Sequence, residues 1–165
     1  MIIIILAFAT VMSSCGSGAQ STAEEKAINL LKLEEKVINT DDIPDKDFLF
    51  KEYFWEEARR SALAGEQTWQ GWVHAAYRAK EMGLTVKYDI VNVTSKSVKK
   101  ENDRESSVEQ RAKATEIGVK DMYDVDVTVK ISGSDGSSQT RRYRFLVVIT
   151  ADRTYIHDIM GERIG

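Results

Sequence analysis

The chain of 165 residues has one cysteine, one proline and two histidines, and its formal net charge is only −3. A lone cysteine allows no disulfide within the chain and no thiolate metal site. Two histidines as far apart as His74 and His157 give no metal-ligand spacing either. A mildly acidic balance provides no electrostatic case for nucleic acid, whose phosphates require clustered Lys and Arg, and none for anionic lipid surfaces. No glycine-rich phosphate loop and no nucleophile motif occurs, so catalytic residues, metal ligands and cofactor contacts are all read as none. Charge is also missing from the first fourteen residues, including the Lys or Arg that usually precedes a secretory apolar run.

What stands there instead is Met1 to Met12, MIIIILAFATVM, ending at Ser13-Ser14-Cys15-Gly16. Twelve apolar residues match a signal-peptide core and fall short of the roughly 20 that a membrane-spanning helix needs. Small residues leading into the only cysteine resemble the lipobox of bacterial lipoproteins, although Met12 stands where that family most often has Leu. The resemblance implies cleavage before Cys15 and acylation of its thiol, hence a protein held in the cell envelope by its lipid. Gly16 rather than Asp after the cysteine permits an outer-membrane destination. Several acyl chains anchor far more firmly than one myristoyl group. The tether expected from Gly16 to Ser21 reaches about 20 Å at ~3.5 Å per residue, so the following domain sits near the bilayer.

Residues 22 to 165 read as one domain, enough chain for a single core. Ser21-Thr22 with Glu24-Glu25 gives overlapping capping-box signals for helix 1, about 22 to 38, with Ala27, Ile28, Leu30, Leu31, Val37 and Ile38 on one side. The spacing of Phe50, Phe54 and Ala58 predicts helix 2 from near Asp45 to Ala64, ended by Gly65. Helix 3 is expected over Gln67 to Met82, with Trp69, Trp72, Val73, Ala76 and Tyr77 on its apolar stripe and Gly83 as its stop.

From Leu84 the period becomes two. Leu84, Val86, Tyr88 and Ile90 alternate with polar residues to give strand 1. Thr94 to Thr115 is polar, and Asn102 to Glu116 fits either an exposed helix capped by Gly118 or an irregular excursion. Tyr123, Val125, Val127, Val129 and Ile131 form one face of the next strand. Ser132 to Ser137 is the turn, and Thr140 to Thr150 returns with Tyr143, Phe145, Val147 and Ile149 on the matching face. A register centred on the turn sets Asp126 near Arg144 and Thr128 near Arg142. A short final strand is expected over Thr154 to Ile159. Helices followed by an antiparallel meander make the class α+β.

Helices first, then a curved meander with a short aromatic last strand (Thr154-Tyr155-Ile156-His157-Asp158-Ile159), look like the NTF2-like or cystatin-like cone. That likeness covers roughly Thr22 to Ile159. It implies a pocket between helices and sheet, and many such domains only bind. The family often closes with Trp-Lys-Ile where Tyr155-Ile156-His157 stands here, and Thr94 to Thr115 has no counterpart in it.

The leading expectation is therefore a non-enzymatic, membrane-anchored domain that binds a small apolar ligand or another envelope protein. Trp55, Trp69, Trp72, Tyr77 and His157 are the candidate surface, and one of Tyr53 and Trp55 is expected to be exposed. The alternatives are an isomerase or dehydratase with His157 or Asp89 as base in the cone, and an inhibitor that presents an exposed aromatic such as Trp55. His74 reads as a solvated flank residue. His157 and Asp158, adjacent in a strand, point to opposite faces and cannot orient one another. Arg141, Arg142 and Arg144 read as one solvated face neutralised by Asp124 and Asp126.

Overall fold

A computed structural model describes residues 18–98 and 118–164. Cys15, the apolar run before it and the Asn102 to Glu116 segment lie outside the described residues. The elements are α1 (Gly18–Thr40), α2 (Lys46–Glu52), α3 (Arg59–Met82), β1 (Val86–Ser97), β2 (Val119–Gly133), β3 (Ser138–Thr150) and β4 (Thr154–Arg163). The strands form one antiparallel meander in the order β1-β2-β3-β4, and the sheet is not closed. The fold is α+β, with the helices preceding the strands.

Strict alternation makes the sheet two-faced. Tyr123, Val125, Val127, Val129 and Ile131 of β2 are buried together with Tyr143, Phe145 and Val147 of β3 and Ile156 of β4. They pack against Ala23, Ala27, Leu30, Leu31 and Val37 of α1, Leu49 of α2 and Trp72 and Ala76 of α3. The register pairs Asp126 with Arg144 and Thr128 with Arg142, as the turn-centred reading expects. Gly133 N–H donates to Ser137 O at 2.9 Å, and Gly136 takes the left-handed conformation (φ 83°) that the turn requires.

Three helical boundaries differ from the sequence reading. α1 begins at Gly18, so Gly18 to Ser21 are helical rather than tether. Thr22 Oγ1 donates back to Gly18 O at 2.8 Å, which places it inside the helix and not at its cap. At ~1.5 Å per helical residue those four residues span about 6 Å, less than half their extended reach of about 14 Å. The long second helix is two elements. α2 stops at Glu52, Tyr53 to Ala58 form an irregular link, and α3 runs without interruption through Gly65.

The link breaks the helix because β4 claims its polar groups. Ile156 N–H donates to Tyr53 O at 2.7 Å, Ser61 Oγ donates to Ile156 O at 2.5 Å, and Trp55 N–H donates to Ser61 Oγ at 2.8 Å. The link thereby satisfies the outer edge of β4, which would otherwise expose unpaired backbone groups. It also carries Trp55 and Ala58 round that edge to the outward face, where they pack on Val148 and Tyr155. Gly65 does not end a helix. It is buried, and a Cβ there would stand 3.0 Å from the rings of Phe50 and Phe54.

Gly83 does stop α3 (φ 61°), with Leu84 N–H returning to Ala79 O at 2.8 Å in a Schellman-type closure. Both flanking strands are longer than read. β1 continues through the polar residues to Ser97, and β4 extends to Arg163. Each of the three strand pairs contains one register shift, and in the β3–β4 pair the extra residue is His157.

A candidate binding site around Glu34

α1 runs antiparallel to β1. Near its start, Glu24 accepts a hydrogen bond from Ser95 Oγ; near its end, Asn39 Nδ2 donates to Val86 O at 2.8 Å, and Val86 N–H donates to Asn39 Oδ1 at 2.7 Å. Between these clamps Glu34 falls on the apolar stripe one turn beyond Leu30 and Leu31 and faces the sheet rather than solvent. Tyr88 Oη of β1 donates to Glu34 Oε1 at 2.9 Å. Trp72 of α3 and Tyr143 and Arg141 of β3 complete the surroundings.

An acid among apolar side chains is costly to ionise. Burial holds the Glu34 carboxyl above the usual carboxylate range, opposed in decreasing order by the Tyr88 hydroxyl, the Trp72 indole N–H and the charge of Arg141. Part of the residue still touches solvent. Burial, followed by the negative charge of Glu34, pushes the Tyr88 hydroxyl up, and the Tyr143 hydroxyl is raised by the same two causes.

Two donors at this site remain unpaired. Trp72 Nε1 and Tyr143 Oη are buried and reach no partner in normal hydrogen-bond geometry, although the Trp72 indole still acts as a donor toward Glu34, and Arg141 and Tyr88 toward the Tyr143 hydroxyl. Trp72 is 2% exposed and Tyr143 8%. An unsatisfied buried polar group costs about 1–3 kcal/mol. Tyr143 is placed by glycine: its cross-strand partner is Gly161, whose added Cβ would lie 3.3 Å from the Tyr143 ring. Arg141, two residues before Tyr143 on the same face, is exposed and marks the side from which this site meets solvent.

The candidates read from the sequence do not converge. Trp72 belongs to the Glu34 site. Trp69 is half-buried beside Pro44, whose carbonyl accepts from its indole N–H at 3.3 Å, with Lys46 Nζ 5.8 Å from its ring. Tyr77 is exposed on α3, where it donates to Glu81 at 2.7 Å. Trp55 packs edge-on against Tyr155 at 5.1 Å, with the Arg153 guanidinium 5.6 Å from its ring. Tyr53 meets Phe48 at 6.4 Å on the other side of the link. Neither Tyr53 nor Trp55 is fully exposed, because the chain leaves the helix between them and sends each to its own cluster.

His157 lies at the bulge, 6.2 Å from the Tyr155 ring, with a buried Nδ1 that has no partner. Burial lowers its pKa, Asp158 raises it, and Arg60 lowers it again. Asp89 sits between the core-packed Tyr88 and Ile90, so it points away from the helices, and it pairs with Lys87 at 2.6 Å. The base positions considered from the sequence therefore do not lie at the helix–sheet site. The arginine cluster is also split. Arg142 and Arg144 both reach Asp126 Oδ1, at 3.5 and 3.2 Å on the outward face, whereas Arg141 turns inward. His74 is exposed, as read.

Glu34 itself was overlooked in the sequence because it stands in the charged run Glu34-Glu35-Lys36. The available signal was its place on the apolar stripe of helix 1.

A recess lies between α1 and α2, a cleft of about 320 Å³ lined by Thr22, Glu25, Lys26, Asn29, Phe48, Glu52 and Tyr53. Lys26 closes over it, donating to Glu52 O at 2.7 Å with its ammonium 5.3 Å from the Tyr53 ring. Among the described residues no cluster of three or more His, Cys, Asp or Glu is arranged to hold a metal ion, and no helix is long and apolar enough to cross a membrane.

Comparison with protein-family models, with curated proteins and with solved structures found no match to this chain.

Proposed function

We propose that this chain is a lipid-anchored, non-enzymatic domain of the bacterial cell envelope, acylated at Cys15, that holds a small, largely apolar molecule between its helices and its sheet. The observation that carries the binding role is the pair of buried donors without a normal hydrogen-bond partner, Trp72 Nε1 and Tyr143 Oη, in the surroundings of the largely buried Glu34. Small-molecule sites are typically apolar recesses with a few convergent polar groups, and perturbed acids concentrate in them. The NTF2-like or cystatin-like likeness expects a ligand in the same place, between helices and sheet. Glu34 lies about 24 Å along α1 from Gly18, so an anchor at Cys15 leaves the site well clear of the tether end of the helix.

Two measurements test the two halves of this reading. Incorporation of an alkyne-labelled palmitate is expected in the wild-type chain and lost in Cys15→Ser; equal labelling of both excludes acylation at Cys15. Native mass spectrometry of the protein extracted from membranes is expected to show a co-purifying small molecule that Tyr143→Phe releases. A wild-type protein that carries none, or a Tyr143→Phe protein that retains it in full, excludes the Glu34 site.

A further inference from the structure

Independently of the Glu34 reading, we propose that the cleft between α1 and α2 binds an organic ammonium ion, whose charge is held by Glu25 and Glu52 and whose apolar part lies against Phe48.

The cleft is open because the side that α1 turns toward α2 is polar. Ala23, Ala27, Leu30 and Leu31 belong to the core shared with the sheet. Thr22, Glu25, Lys26 and Asn29, at i, i+3, i+4 and i+7, form a separate stripe along the cleft. Two apolar helix faces would close on one another, whereas these leave about 320 Å³, room for a small molecule. The lining sets two carboxylates, Glu25 and Glu52, against one ammonium, Lys26, so one negative charge stays unbalanced. An anion would meet both carboxylates. A wholly apolar molecule would strip water from the polar lining without replacing its hydrogen bonds. One alkylammonium already uses this chemistry: Lys26 Nζ donates to Glu52 O at 2.7 Å and stands 5.3 Å from the centre of the Tyr53 ring. Burial opposes its charge, and the charges of Glu52 and Glu25 support it. Lys26 therefore competes for the same carboxylates with any ammonium that enters. Phe48 meets Tyr53 edge-on at 6.4 Å and is 43% exposed, which leaves apolar surface at the cleft for a ligand's hydrocarbon part. The cleft runs along the first half of α1, the half that follows Cys15 in sequence, so a lipid headgroup and a soluble amine can both present this group.

The test is an NMR titration of the full-length, membrane-extracted protein in maltoside micelles, which carry no charge. The probes are butylamine, 1-butanol and butyrate, followed at the backbone amides of Lys26, Asn29 and Glu52. Butylamine is expected to shift these amides and to bind about fivefold more tightly than 1-butanol, with butyrate weaker than either. Glu52→Gln is expected to weaken butylamine by about threefold, and Lys26→Met, which removes the internal competitor, to strengthen it by about threefold. Tyr143→Phe should leave the titration unchanged, which separates this cleft from the Glu34 site. Phosphatidylethanolamine added to the micelles competes with butylamine if a headgroup is the natural source, and has no effect if a soluble amine is. Binding of 1-butanol as tight as that of butylamine, or a Lys26→Met protein whose amine affinity does not rise, overturns the ammonium assignment. If butylamine shifts none of the three amides, the cleft itself is overturned as a site.

Discussion

Ser61 Oγ donates to the carbonyl of Ile156 at 2.5 Å, joining the first turn of α3 to the edge strand β4 across 95 positions of sequence. The same oxygen accepts the N–H of Trp55, so one fully buried hydroxyl satisfies both the link between α2 and α3 and the outer edge of the sheet. Sheet edges are normally guarded by charge, proline or a covering segment. Here the covering segment is a broken helix pinned by a single serine.

Ser61→Ala removes both hydrogen bonds and leaves a part-buried N–H and a buried C=O unpaired. A loss of about 2 kcal/mol in unfolding free energy is expected, since each orphaned group costs roughly 1–3 kcal/mol and some relaxation offsets the sum. Urea unfolding monitored by circular dichroism checks this; a change under about 0.5 kcal/mol would remove the pinning role.

Gly65 illustrates the opposite case, a helix-interior glycine that cannot be improved by bulk. A Cβ there stands 3.0 Å from Phe50 Cε1, Phe50 Cζ and Phe54 Cγ. Gly65→Leu is expected to destabilise by about 1–3 kcal/mol through overpacking, despite leucine's better helix propensity. Thermal melting of the variant reads this directly. A raised Tm would show that the two rings yield freely.

The pH dependence of Glu34 has a definite sign. Its folded-state pKa lies above its unfolded value, so its contribution is fully present at low pH and is lost as pH rises through the folded pKa. The wild type should therefore lose stability as pH climbs from about 4.3, the ordinary glutamate value, toward and through its raised folded-state pKa. Glu34→Gln keeps an acceptor for Tyr88 without a charge, and this loss should be absent from it. Unfolding curves taken across that range compare the two slopes; parallel slopes would refute the assignment.

His157 contributes with the reverse sense. Burial depresses its folded pKa, so the stability it supports is present above the ordinary histidine value of about 6.5 and is lost as pH falls through the folded pKa. His157→Gln is expected to flatten the acid limb of the Tm profile between pH 7 and pH 5, in the range about the ordinary histidine value. If the acid limb of the variant matches that of the wild type, the protonation of some other group causes it.

The outward ion pairs are a contrasting case. Asp126 receives Arg144 Nε at 3.2 Å and lies 3.5 Å from Arg142 Nε, but both arginine side chains are close to half exposed. Such pairs are worth about 0–1 kcal/mol and weaken with salt. Asp126→Asn should shift unfolding by less than about 1 kcal/mol in low salt and by still less in 0.5 M salt, where screening is stronger. A loss above about 2 kcal/mol, the size associated with buried rather than exposed pairs, would contradict this.

How much could be read in advance varies by element. The period-two run from Tyr123 to Ile131 and its partner from Tyr143 to Val147 fix strands, faces and register locally, because a one-residue slip would turn every valine outward. Gly83 marks the end of α3 by its backbone freedom alone. By contrast, Phe50, Phe54 and Ala58 keep helical spacing, yet the chain breaks at Tyr53, because Ile156 and Ser61 offer its backbone better partners than another helical turn. The class, α helices before an antiparallel meander, and the apolar faces were therefore determined by the sequence through patterning, a property of neighbours along the chain. The break before α3, the burial of Gly65, the division of Arg141 from Arg142 and Arg144, and the enclosure of Glu34 by Tyr88, Trp72 and Tyr143 were decided only by the tertiary structure. Each of these depends on which residue arrives opposite from a distant part of the chain, and local periodicity does not encode that.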